Sequence, residues 1–300
     1  MVYLQNCLRK WIKINNINWF YFSKNPNAIE ILKQNPENIY WEMLCINPNS
    51  IEILEKNLNK ISWYDLSSNK NAINLLKTNI DKIDWNMLSC NKNAIQILKE
   101  NPHKIAWALL SNNENAIPIL EQNIDKIDWD CLSANPNAIQ LLKENYDKIN
   151  WDYLSSNENA IDILKTNPDK INWFILSKNS NAIPILEKNL DKINWYMLTY
   201  NKNAIELIKR NIDKIENFWH SLCLNPNAIE IIEKNISRID WFNISQNPSI
   251  FTYDYDLIKK NFKDLGEEII IKALHPKRML RLMNDYGEDE IYKCFFDEEL

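Results

Sequence analysis

Tryptophan recurs every 22 residues through most of this chain, at Trp19, Trp41, Trp63, Trp85, Trp107, Trp129, Trp151, Trp173 and Trp195, and after two extra residues again at Trp219 and Trp241. Eleven of the twelve tryptophans open a copy of one phrase, written in full at Trp151–Asn172. Ten copies are complete and the eleventh degenerates. A fixed period of this length is the signature of a solenoid, in which each unit is too small to bury its own apolar face and does so against its neighbours. Length is then a poor guide to domain number, because such a chain grows by stacking.

Number each copy 1 to 22 from its Trp. Position 4 is nearly always Leu, 10 Ala, 11 Ile, 13 and 14 Ile or Leu, and 21 Ile. The spacings 1 to 4 and 10, 11, 14 are helical, and strand alternation is absent. Two short helices per copy follow, neither stable alone. Position 9 is Asn in ten copies (Asn27 through Asn227), often with Glu or Gln three residues on, and predicts the N-cap of the second helix. Pro118 and Pro184 support that frame, because they then fall in the first turn, where an N–H has no intrahelical partner. The second helix is expected over positions 10 to 16. It should close on the constant Asn of position 17 in a left-handed conformation, with Pro36, Pro102 and Pro168 directly after. Position 22 (Asp84, Asp128, Asn150, Asn172, Asn194, Asp240) predicts the N-cap of the Trp helix. Position 7, a third Asn column running from Asn25 to Asn247, is expected as the extended turn between helices. The Trp column reads as a buried spine between layers, with Ala at 10 where layers approach closely.

Composition narrows the setting. The only two glycines, Gly266 and Gly287, lie outside the copies, against 47 Asn, 45 Ile and 30 Lys. A net charge of −5 weighs against nucleic acid or an anionic membrane as a general partner. Cys7, Cys45, Cys90, Cys131, Cys223 and Cys294 form no C-x-x-C pair and share no repeated column, as expected of thiols in a reducing compartment. No signal peptide and no run near the ~20 apolar residues of a membrane span is legible. The expectation is a cytoplasmic protein with no membrane partner.

The period, the order of short and longer helix, and the phrase L-S-x-N-P-N-A-I resemble leucine-rich variant repeats, which implies a right-handed superhelix. The phrase N-P-N-A-I-x-I-L-x-x-N, as at Asn25–Asn35, is similar to that of uncharacterised repeat proteins of giant DNA viruses of the mimivirus type. So is the closing stretch Asn247–Tyr255 with the later Leu274–Arg278. That resemblance implies a viral protein acting in the cytoplasm of an infected cell, with the virion as the other location, and supplies no activity.

The fold expected is an all-α solenoid, a superhelix of two-helix copies with helical caps. It divides into an N-terminal cap over 1–18, in which Ile17 and Asn18 already fit positions 21 and 22, the copies over 19–251, and a C-terminal helical cap or adaptor over 252–300. Helices are expected near 254–263, 266–284 (broken at His275–Pro276) and 288–297. Ser249 is expected to keep the N-cap role, and the two residues inserted before Trp219 to bulge from a loop.

Catalytic chemistry is not legible. His103, His220 and His275 make no metal-ligand spacing, and no nucleotide loop or nucleophile elbow occurs. The chain is expected to be no enzyme and to carry no cofactor or metal. Two surfaces stand out. Position 20 forms a basic column of Lys60, Lys82, Lys104, Lys126, Lys148, Lys170, Lys192, Lys214 and Arg238, the possible contact for phosphates, although position 19 is usually Asp. Positions 2, 3, 6, 12 and 16 change chemistry from copy to copy, and position 6 (Lys24, Ile46, Lys178, Tyr200 and Leu224 among them) is the expected surface for a protein partner. The leading reading is a noncatalytic scaffold for protein recognition. The alternatives are nucleic-acid binding through position 20 and a structural virion component.

Overall fold

The structure, a computed structural model, describes residues 6–253 together with 259, 267, 271–272 and 274–286. Besides a further 3₁₀ turn that leads into the second helix in three copies, each complete copy contains three helical pieces where two were expected. In the seventh these are the α-helices Trp151–Ser156 and Ile161–Lys165 and a 3₁₀ turn at Pro168–Lys170. The Trp helix starts as its sequence predicts. Asp84 Oδ1 accepts from Met87 N (2.8 Å), and Asp128, Asn150, Asn172, Asn194 and Asp240 cap likewise.

The other asparagine columns fit expectation in part. Position 7 is extended between the helices as expected, with Asn157 at φ −73° and ψ 113°, and its Oδ1 accepts from Asn159 N at 2.9 Å. The second helix, however, starts from Ala at position 10, which has no side chain to cap it, and not from Asn at 9. Nor is position 17 left-handed. Asn167 has φ −134° and donates Nδ2 to Ile163 O (2.9 Å), which satisfies a carbonyl that the helix end would leave open. Every copy from Asn35 to Asn235 repeats this bond.

The core is narrower than the constant columns suggested. Positions 4, 10 and 14 are fully enclosed, as in Leu154, Ala160 and Leu164. The Trp column is not a buried spine: Trp219 alone is buried, and the other ten copy-opening indoles are half-buried. Trp begins its helix at the margin of the layer, so one face of the ring is left outside the core.

Residues 9–250 form one compact unit, and it closes on itself. Asn47 Nδ2 donates to Ser23 O (3.0 Å) and Asn25 O (2.7 Å), carbonyls at positions 5 and 7 of the preceding copy. Asn25, in the first copy, makes the same two bonds to Ser245 O (3.1 Å) and Asn247 O (3.0 Å), in the last. Asn27 Nδ2 reaches Pro248 O (3.0 Å) as Asn49 Nδ2 reaches Pro26 O (2.8 Å). Tyr21 packs edge-on against Phe242, with centroids 4.2 Å apart. The seam between last and first copies therefore uses the bonds of every internal joint. The solenoid is a ring of eleven copies, not an open superhelix.

The eleventh copy is split between the chain ends. Residues 241–250 supply its positions 1 to 10. Residues 13–18 supply positions 17 to 22, with a 3₁₀ turn at Ile14–Asn16 and Ile17 buried like the other position-21 isoleucines. Asn18 N donates to Ser245 Oγ (2.9 Å), as Asn150 N does to Ser133 Oγ (3.0 Å) within an intact copy. Arg9 adds bonds to Ile250 O and Ser249 O, both 2.9 Å. The expected N-terminal cap is thus the missing end of the last copy. Ser249 donates its N–H to Asn247 Oδ1 (2.9 Å) and caps no second helix.

A second unit comprises residues 1–8 and 251–300. Strand β1 (Asn6–Leu8) pairs antiparallel with β2 (Phe251–Tyr253), so Cys7 faces Thr252. The helix Pro276–Tyr286 matches the expected break at His275–Pro276. The helices expected near 254–263 and 288–297, and most of the first half of 266–284, lie outside the described residues.

Candidate interaction surface on the inner wall

A closed ring sorts positions by radius. Copies approach most closely where side-chain amides clamp one backbone to the next, at positions 5 to 9. The Trp helices of successive copies also pack against each other more extensively than the second helices do. These segments form the inner wall. A groove of about 400 Å³ runs across four copies there and is lined by their positions 6, 7 and 8. Ile46, Ser68, Cys90 and Asn112 contribute position 6, and Pro48, Lys70, Lys92 and Glu114 position 8.

Behind this wall lies a buried polar ladder. All eleven Asn at position 7 donate to the preceding copy, each with its side chain buried. Position 5, usually Ser, adds a second column that sequence reading missed. Ser155 Oγ donates to Trp151 O (2.8 Å) and accepts from Asn172 N (3.0 Å). A hydroxyl both donates and accepts, which explains a small polar residue at a site with no exposure. Its signal was present in the constant Ser after Leu. Cys45 and Cys223 replace it in two copies, and burial pushes both thiols up to about 11. The ladder amides are taken up by the backbone of the preceding copy, and the side chains of position 6 stand beside them along the groove.

Position 6 projects there. Ile46 and Lys178 are exposed, and Lys24, Tyr200 and Leu224 are half-buried. Lys24 sits 5.1 Å over Tyr21 and Lys178 5.6 Å over Tyr200; burial lowers the Lys24 pKa. The Tyr200 hydroxyl meets that of Tyr196 at 2.9 Å, and its pKa is pushed up to about 12, chiefly by burial.

Position 20 lies elsewhere, in the closing 3₁₀ turn beside the Trp faces. Lys60 Nζ stands 4.4 Å over Trp41, and Lys82, Lys126, Lys148, Lys170 and Lys192 repeat this at 4.4–4.9 Å. Arg238 stands 5.2 Å over Trp219 and 2.8 Å from Glu216. Lys104 and Lys214 are exposed on the same column. Seven of nine cations thus cover an indole face, an attraction of about 0.5–1 kcal/mol each at an exposed site. The column bends round the ring and is no straight stripe.

The insertion before Trp219 leaves the wall intact. Asn225 Nδ2 still reaches Thr199 O (2.8 Å) and Asn201 O (3.0 Å). The added residues are absorbed in the loop, where Phe218 packs 5.5 Å from Tyr196. Among the described residues no cluster of His, Cys, Asp and Glu could hold a metal, and no helix is long and apolar enough to cross a membrane. In comparisons with known proteins the chain matches no protein family, no curated protein and no solved structure.

Proposed function

We propose that the ring is a noncatalytic scaffold that recognises another polypeptide through its inner wall. One observation carries this reading: a repeated hydrogen-bonded ladder holds a combination of side chains at positions 6 and 8 that no two copies share, along one surface. Rigid backbone with variable side chains is how repeat proteins generate recognition. The similarity to repeat proteins of giant DNA viruses extends the proposal to a partner in the cytoplasm of an infected cell or in the virion.

The test compares cross-linked partners of the intact chain with those of a version whose residues at positions 6 and 8 are permuted among copies. Composition and ladder are then unchanged. Loss of the partner is the expected result, and identical partner profiles would overturn the reading.

A further inference from the structure

The wall has a charge of its own. Positions 6 and 8 of the eleven copies hold five lysines (Lys24, Lys70, Lys92, Lys178, Lys202) and two glutamates (Glu114, Glu158), a surplus of three positive charges on a chain whose net charge is −5. Their placement is uneven. Lys70 and Lys92 occupy the third and fourth copies, and Lys178 and Lys202 the eighth and ninth, five steps of eleven away and so nearly opposite. Lys92 is partnered by Glu114 at 3.5 Å, whereas Lys70 and Lys202 are exposed and make no ion pair among the described residues.

Chemistry limits what can lie between them. Single-stranded nucleic acid would want aromatic platforms for its bases as well as cations, and Tyr200 is the one aromatic residue among these 22 positions. Ser, Asn and Gln side chains with prolines and Ile46 and Leu224 between the cations suit a peptide backbone with intermittent acidic residues.

From this juxtaposition we infer that the inner wall binds an extended acidic polypeptide segment, its carboxylates held between the Lys70–Lys92 and Lys178–Lys202 pairs. The inference rests on the scaffold reading and names the chemistry of its partner.

The experiment is fluorescence anisotropy with the full chain and three labelled probes: a peptide of alternating Glu and Ala, one of alternating Lys and Ala, and oligothymidylate. The acidic peptide should bind, more weakly as salt rises. The variant Lys70→Glu/Lys92→Glu/Lys178→Glu/Lys202→Glu should weaken it by about tenfold or more. The control Lys77→Glu/Lys99→Glu/Lys143→Glu/Lys188→Glu, on exposed outward residues, should leave it unchanged, and Lys→Gln at the inner four should give an intermediate loss if reversal impairs folding. Tighter binding of oligothymidylate, no binding of the acidic peptide, or equal loss in the outer control would each overturn the inference. The scaffold reading would survive such a result if permuting positions 6 and 8 still abolished partner cross-linking.

Discussion

Closure of the ring rests on one non-covalent joint, and Asn25 is the residue with which to probe it. Replacing Asn25 by Ala removes the donor to Ser245 O (3.1 Å) and Asn247 O (3.0 Å) and the acceptor of Asn27 N (3.1 Å). Asn247 O keeps a bond from Ile250 N, so two groups, Ser245 O and Asn27 N, lose their partner. At about 1–3 kcal/mol per buried group left unpaired, the cost is on the order of 2–5 kcal/mol. For a unit of this size that is a fall in melting midpoint of about 5–15 °C. Asn157→Ala, inside the chain, orphans the equivalent Ser133 O and Asn159 N and should cost a similar amount. The two variants should part company in native-state hydrogen exchange. With the seam weakened, the ring can open there without unfolding, because ten joints remain. Amides of 19–28 and 241–250 should exchange at least ~30-fold faster in Asn25→Ala, the factor for ~2 kcal/mol. In Asn157→Ala, where the chain connects both sides of the joint, they should not. Equal exchange at the seam in both variants would refute the closed ring.

Other consequences are simpler to measure. A chain lacking residues 1–18 loses positions 17 to 22 of the split copy and should open, giving a larger hydrodynamic radius by small-angle scattering with its helical circular dichroism retained. Lys170→Met should lower stability by about 0.5–1 kcal/mol and alter tryptophan emission, since Nζ lies 4.4 Å over Trp151; a comparable emission change in Lys104→Met would argue against that assignment. Asn167→Gly should destabilise by about 1 kcal/mol by losing the bond to Ile163 O, where a left-handed cap would have welcomed glycine. The thiols of Cys45 and Cys223, pushed up to about 11 by burial, stay protonated at pH 8. They should resist a thiol reagent until the protein unfolds, and become reactive only as pH nears that value.

Some of the site was legible and some was not, for reasons that differ by residue. Variation at position 6 was legible, because the copies are mutual controls within one chain, and the structure places that column beside the buried ladder. The extended turn at position 7 was legible, but the clamp of its Asn on the preceding copy was missed, as was the role of Asn at 9. Capping and inter-copy clamping both demand a short amide, and residue identity does not separate a donor to a local backbone from a donor to the next layer. The third helical piece, at Pro168–Lys170, was also missed, since a single 3₁₀ turn has no apolar period. Trp misled in the other direction: its size argued for burial, but its place at a helix start left one face to be covered by lysine.

The 22-residue unit, its helices, the enclosed columns at 4, 10 and 14 and the order of copies all follow from local pattern, which the sequence states eleven times. Even the fragments that complete each other, Ile17 and Asn18 at one end and residues 241–250 at the other, can be read in register. Whether they meet depends on curvature, which no single copy encodes. Curvature comes from the closer approach of successive copies at their Trp helices than at their second helices. Eleven copies close only if each turns by a full circle's share, about 33°, and a few degrees less would leave an open superhelix. Only packing in three dimensions sets those degrees, so tertiary structure alone decided that this solenoid is a ring with an inside.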